Sequence, residues 1–448
     1  MIPRTLSKEL RKWSQDKDRK PLVLRGARQV GKTTIVRQFA KEFDQYIELN
    51  LENPEDLKIF NQDYSFKQLH EAIFFLKDAN KNVPRTLIFI DEIQNSPKAV
   101  NKLRYFYEGA PELFVIAAGS LLESLIDKKI SFPVGRVDFL ALRPCSFREF
   151  LLAADEEKSK ALVDSAEIPE YAHDKLMELF RKYTIIGGMP EVLTNYAQNQ
   201  DLNALPKIYE RLIISYQDDV EKYADTPLKE NVLRHIIGSA FQYAGQRITF
   251  DKFGGSNYRS KEMGEAFRTL EKTMLLKLVY PITHVKIPAE EKHRRSPKLI
   301  LFDTGLVNHS AGTQKQLFIS HLIDEVYQGK IAEHIVAQEL LALNHSVRTR
   351  LNFWVREERN SQAETDYVLP YEDKLIPVEV KYGASGRLRS LHMFMDAAPH
   401  NQALRVYSGA MKVEDLRTQS GKSFRLISLP FYLVSQIEKI LDRQAIID

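Results

Sequence analysis

Leu22-Val-Leu-Arg-Gly26-Ala-Arg-Gln-Val-Gly31-Lys32-Thr33-Thr34 is the stretch on which the reading of this chain turns. From Gly26 it fits G-x-x-x-x-G-K-[ST]. The apolar run Leu22-Val23-Leu24 predicts a buried strand, and residues 34–43 carry helical periodicity. Strand, loop and helix in that order are the context a phosphate-binding loop requires. Its glycines let the backbone curl, so that consecutive N–H groups and the helix N-terminus face an anion. Gly26, Ala27, Arg28, Gln29, Val30, Gly31, Lys32, Thr33 and Thr34 are therefore the candidate nucleotide-binding residues. Lys32 would reach the β- and γ-phosphates, and the Thr33 hydroxyl would complete a Mg²⁺ shell. ATP and Mg²⁺ are the expected cofactors.

Downstream, Thr86-Leu-Ile-Phe-Ile-Asp91-Glu92 is an apolar strand ending in adjacent carboxylates, the form of a Walker B element. A continuous apolar run suits a parallel strand buried on both faces, with ligands beyond its carboxyl end. Asp91 would hold Mg²⁺, and Glu92 would polarise the attacking water; the bland alternative is that the pair caps the next helix. Residues 113–118 predict a further strand, ending at Gly119-Ser120. Ser120 reads either as a nucleotide sensor or as a helix cap. Arg136 is a candidate arginine finger, because a guanidinium matches phosphate oxygens bidentately; acting in trans, it would require a homo-oligomer. Its alternative is a surface salt bridge.

A chain of 448 residues exceeds one ordinary core and predicts about three domains. With 44% hydrophobic and 28% charged residues it falls in the soluble globular class. A formal charge of +4 permits nucleic-acid binding without arguing for it. One cysteine, Cys145, excludes an internal disulfide framework and a Cys-rich zinc site, and suits a reducing cytoplasm. No signal-peptide core is expected, and no apolar run reaches the ~18–20 residues that span a bilayer.

The set Gly-x-Arg-Gln-Val-Gly-Lys-Thr-Thr, Ile-Asp-Glu-Ile-Gln, Ala-Gly-Ser, Gly-Arg and Pro-x-Ser-Phe-x-Glu-Phe resembles a family of prokaryotic AAA-like ATPases. The resemblance continues through Gly187-Gly-Met-Pro190-Glu191 and Lys298-Leu-Ile-Leu-Phe-Asp303-Thr-Gly305-Leu306, and so spans almost the whole chain. It implies the ATPase fold and a characteristic C-terminal region described as nuclease-like; it leaves the cellular role open.

In the middle, residues 153–172 read as an exposed helical connector, 175–186 as a helix stopped by Gly187-Gly188, and 209–223 as a helix whose Asp218, Asp219 and Glu221 form a solvated face. Residues 228–244 and 259–276 predict two further helices, the second with Met263, Phe267, Leu270 and Met274 as its apolar row. Residues 278–280 and 299–302 predict two strands, which together make a winged-helix pattern supported by the resemblance. Such modules place one helix in the DNA major groove. Arg259, Lys261, Arg268 and Lys272 on that helix, and Lys286, Lys292, His293, Arg294, Arg295 and Lys298 in the wing, are the candidate basic residues. Packing or protein contact is the alternative use.

Toward the C-terminus, Glu333 lies on the apolar row of a predicted helix, costly unless something pairs with it. Asp366 in one predicted strand precedes Glu379-x-Lys381 in the next, where the two side chains share a face. This order is the pattern of restriction-endonuclease-like nucleases. Glu333, Asp366 and Glu379 would hold a divalent metal over the scissile phosphate, and Lys381 would orient the water. Arg387, Arg389 and His392 follow, where a phosphate backbone could lie.

The expected fold is α/β: an AAA-like parallel-sheet ATPase domain (1–150), a helical connector (151–226), a winged helix (227–315) and a restriction-endonuclease-like α/β domain (316–448). The leading expectation is a cytoplasmic ATP-hydrolysing protein coupled to a metal-dependent nuclease-fold domain acting on nucleic acid, DNA foremost. The alternative is a signalling or scaffold ATPase whose further domains only bind partners. A small-molecule kinase is disfavoured, because no acceptor-site signature is present.

Overall fold

Strands β1 (Leu22–Arg25), β2 (Gln45–Asn50), β3 (Thr86–Asp91), β4 (Phe114–Gly119) and β5 (Asp138–Ala141) form a parallel sheet in the order β2-β3-β4-β1-β5. The computed structural model describes residues 2–119, 135–312, 314, 330–357, 363–381 and 388–447. Both β3 and β4 are buried along their whole length, which explains their unbroken apolar sequence. This order sets β4 between β1 and β3. The carboxyl ends of all three therefore open on one edge of the sheet, where ligands of such sheets bind.

The middle of the chain is helical. Helices His173–Ile186, Pro190–Asn199 and Leu205–Asp218 lead to Pro227–Ser239 and Ser260–Lys272. Met263, Phe267 and Leu270 are buried as predicted, but the last helix stops at Lys272 and Met274 takes a φ of 64°, off the predicted row. Strands β6 (Leu276–Ile282) and β7 (Lys298–Leu301) then pair antiparallel.

This ribbon belongs to a larger sheet. Tyr280, Pro281 and Ile282 of β6 pair in parallel with Asn352, Phe353 and Trp354 of β8 (Asn352–Val355). The sheet continues through β9 (Glu364–Tyr371), β10 (Lys374–Lys381), β11 (Gln402–Tyr407), β13 (Ser423–Pro430) and β12 (Lys412–Arg417), eight strands in all. A division at residue 315 thus cuts through one sheet. The pairing joins segments far apart in sequence, and no local pattern announces it.

Three short motifs interlock between the first domain and the rest. Cys145 N donates to the Gly188 carbonyl at 2.7 Å, and Gly188 N donates to Asp303 Oδ2 at 2.6 Å. A Cβ at position 188 would sit 2.1 Å from the Cys145 oxygen, so only glycine permits this approach. Asp303 Oδ1 also accepts from Leu306 N, capping the helix Thr304–Ser310. Helix Lys330–Ala342 docks on the same junction: Gln338 accepts from Thr304 N at 2.9 Å, and Glu339 Oε1 accepts from Phe147 N at 3.0 Å. The Tyr183 hydroxyl lies 2.7 Å from the same Glu339 oxygen.

Burial pushes Glu339 up to about 7, against the lowering effect of its Tyr183 and Phe147 hydrogen bonds. A carboxyl whose folded pKa is raised binds more protons folded than unfolded. Its contribution to stability is full below about 4.5 and lost as pH rises through about 7. Glu339→Gln keeps the acceptor oxygen and removes the titration. We expect the variant to flatten the decline in melting temperature between pH 5 and 8, with a gain at the alkaline end of roughly 3 kcal/mol at most. A wild-type decline that persists unchanged in the variant would refute this assignment.

Among the described residues, no helix is long and apolar enough to cross a membrane.

Candidate functional site

The loop after β1 curls at Gly31, whose φ of 96° suits glycine and places it at the N-cap of helix Lys32–Phe39. No side chain caps that helix, so its first-turn N–H groups remain available to an anion. The Lys32 ammonium is buried and donates to the Gly26 and Ala27 carbonyls at 3.0 and 2.9 Å. Burial lowers its pKa to about 8, opposed by the charges of Glu92 and Asp91.

Strand β3 delivers the two acids beside it. The Thr33 hydroxyl donates to Asp91 Oδ2 at 2.6 Å, and Glu92 N donates to Asp91 Oδ1 at 3.0 Å. Burial raises the Asp91 pKa, while the Thr33 hydrogen bond opposes it. Glu92 sits at φ 50°, a left-handed conformation uncommon outside glycine, and Gln94 donates to its Oε2. Thr33 and Asp91 thus bring two hard oxygen donors together next to a lysine, a set that fits Mg²⁺ with a phosphate. A cavity of about 850 Å³ opens over them, within the usual range of ligand sites. Gly31, Lys32, Thr33, Thr34 and Glu92 line one side, and Thr194, Asn195 and Arg211 of the middle helices line the other.

Several contacts here escaped the sequence reading. Asp219, expected on a solvated face, is 2% exposed and pairs with the Arg28 guanidinium. The Tyr216 hydroxyl donates to the Arg28 carbonyl at 3.1 Å, and Gln29 donates to Ser215 Oγ at 3.2 Å. The segment 215–219 therefore grips the phosphate loop from outside the first domain. From the other side, Arg4 donates to the Val30 and Arg143 carbonyls and pairs with buried Glu149 at 3.1 Å. An acidic residue next to polar neighbours in a helix carries no signal of burial, so Asp219 was not legible.

Arg136 lies on the surface, paired with Glu108 at 2.9 Å and outside the residues lining the cavity. Ser120, the candidate sensor, lies outside the described residues, as does Arg387.

The C-terminal candidates are brought together, but around a different centre. Lys298, expected in an exposed basic wing, is 2% exposed. Its ammonium lies 2.9 Å from Glu333, 2.8 Å from Glu364 and 3.6 Å from Asp366. Lys381 pairs with Glu379 at 2.6 Å, and Asp366 Oδ2 accepts from Val380 N at 2.8 Å. Burial and then the Asp366 charge raise the Glu379 pKa, with Lys381 opposing. Burial would lower the Lys298 pKa, but the Glu333 and Asp366 charges outweigh it and raise it well above its ordinary value. Among the described residues, no group of three or more His, Cys, Asp or Glu side chains is disposed to hold a metal ion. The structure thus gathers Glu333, Asp366 and Glu379 in one region, with the Lys298 ammonium standing among the carboxylates.

A parallel sheet with a phosphate loop after one strand and an acid pair at the end of its second neighbour defines the first domain as a P-loop ATPase domain of the AAA kind. Residues 18–151 match a family model described as an AAA domain. Residues 177–317 and 328–432 match two domains of unknown function, DUF8612 and DUF4143. The chain is similar to an uncharacterized protein of Methanocaldococcus jannaschii, 22% identical over 84% of this chain and 79% of that one. It is also similar to an uncharacterized protein of Haemophilus influenzae, 22% identical over 80% of this chain and 82% of the other. Among solved structures, it is similar to the Walker-type ATPase PABY2304 of Pyrococcus abyssi, with 17% identity, TM-score 0.46 and coverage of 69% of this chain and 96% of that one.

Proposed function

We propose that the chain is an ATP-hydrolysing switch whose winged-helix and nuclease-like regions bind nucleic acid, DNA foremost, without cutting it. The observation that carries the ATPase half is that Lys32, Thr33 and Glu92 line one cavity, with Asp91 hydrogen-bonded to Thr33 directly behind it. Thr33 and Asp91 would hold Mg²⁺, which neutralises phosphate charge when bound with ATP. The Lys32 ammonium and the first-turn N–H groups bind and orient the β- and γ-phosphates. Glu92 orients a water and takes its proton as that water attacks. Arg136 supplies a guanidinium to a neighbouring copy if the protein assembles for turnover.

Two observations support a link from nucleotide to the rest of the chain. The segment Ser215–Asp219 holds the phosphate loop directly. Helix Lys330–Ala342 carries Glu333 in the carboxylate cluster near one end and Gln338 and Glu339 in the junction with the first domain near the other. Exposed Arg259, Lys261, Arg268, Lys286 and Arg294 offer cations to a phosphate backbone. Binding without cutting agrees with the ammonium at the centre of the cluster.

The test is fluorescence anisotropy of labelled duplex and single-stranded DNA with the full chain, with and without ATP and Mg²⁺. We expect salt-sensitive binding whose affinity changes at least severalfold with nucleotide. Affinity that ignores nucleotide, or no DNA binding, would overturn the coupling, and Mg²⁺-dependent cleavage would restore the nuclease reading.

A further inference from the structure

We infer that the ammonium of Lys298 is the resident cation of the C-terminal carboxylate cluster, held there by the wing strand in the place where a divalent metal would otherwise be needed. A buried lysine is costly unless its charge is offset. Here Glu333, Glu364 and Asp366 surround it at 2.8 to 3.6 Å, and the Asp366 carbonyl adds a fourth oxygen at 3.5 Å. Conversely, four carboxylates packed together need compensation, and Lys298, Lys381 and Arg247 supply it, the last through Glu364 at 3.3 Å.

Lys298 is fixed from both ends. Its backbone pairs with Val279 in β6 and bridges to Arg247, and its ammonium lies 5.1 and 5.5 Å from the Phe353 and Tyr367 ring centres. A divalent ion would require carboxylate oxygens to converge at about 2.0–2.6 Å on one point. That point would lie within a few ångströms of the ammonium, where two cations repel strongly in a water-poor interior. Glu379 Oε2 is buried and has no hydrogen-bond partner, its Oε1 being the oxygen that pairs with Lys381. The consequence is a cluster that fastens strand β7 to the C-terminal sheet rather than one that activates water. The inference rests on the cluster alone and stands or falls independently of ATP hydrolysis.

Lys298→Met keeps the volume of the stem and removes the charge, and should turn the cluster into a metal site. The probe is Mn²⁺ alone, followed by electron paramagnetic resonance and by melting temperature on the nucleotide-free full chain. Wild type is expected to bind no Mn²⁺ that Asp366→Asn removes, and to melt at the same temperature with and without millimolar MnCl₂. Lys298→Met is expected to gain one bound Mn²⁺, lost again with Asp366→Asn, and to melt about 5 °C higher with the metal present. Wild-type Mn²⁺ binding abolished by Asp366→Asn or Glu379→Gln overturns the inference, and does so even if Lys298→Met fails to fold. A folded Lys298→Met chain that gains no site also overturns it.

Discussion

Glu92→Gln is expected to lower ATP turnover by about 10²- to 10⁴-fold, the usual contribution of a positioned general base, while MgATP still binds. The substitution removes the proton acceptor and little else. Gln94 already donates to Glu92 Oε2, and a glutamine oxygen can take that hydrogen bond. The left-handed backbone at this position is as accessible to glutamine as to glutamate, so the fold cost is small. Asp91 and Thr33 keep their 2.6 Å contact, so the oxygen pair proposed for Mg²⁺ is untouched. The measurement is phosphate release under saturating ATP, beside equilibrium binding of a fluorescent ATP analogue. Turnover within a few-fold of wild type would remove Glu92 from the catalytic role.

Lys32→Ala is expected to act on binding itself. A charge-assisted contact to phosphate is worth about 1.5–3 kcal/mol, so ATP affinity should fall roughly tenfold to a hundredfold, and turnover with it. The ammonium now satisfies the Gly26 and Ala27 carbonyls. Those hydrogen bonds are buried, so the variant leaves two carbonyl oxygens without their donor and also loses some stability. Calorimetric titration with ATP, and a thermal melt to confirm folding, separate the two effects. Undiminished affinity in a folded variant would mean that the loop does not bind phosphate.

The first domain was largely legible because its signals are local. A glycine loop after an apolar strand, and a strand ending in Asp91-Glu92, each state their geometry within ten residues. The order of the nuclease-like candidates was legible for the same reason: Glu379 and Lys381 share a strand face and meet at 2.6 Å. What failed were Lys298, Asp219 and the β6–β8 pairing, each of which depends on a distant partner that no local signal names. Lys298 looked like one more residue of a basic loop, yet Pro297 and the apolar Leu299-Ile300-Leu301 after it draw it into β7 and bury it among carboxylates contributed by residues 333–366. Glu333 did signal a need for a partner, and Lys298 is that partner. Asp219 and the β6–β8 pairing gave no such hint, since neither periodicity nor turn chemistry encodes them.

The most direct measurement is Mg²⁺-dependent phosphate release from ATP by the wild-type full chain beside Lys32→Ala and Glu92→Gln, with and without DNA. An ATP-hydrolysing switch predicts release by wild type that both variants lose, with ATP binding retained only by Glu92→Gln. Equal release by all three proteins, or ATP bound by wild type and never hydrolysed, would contradict it.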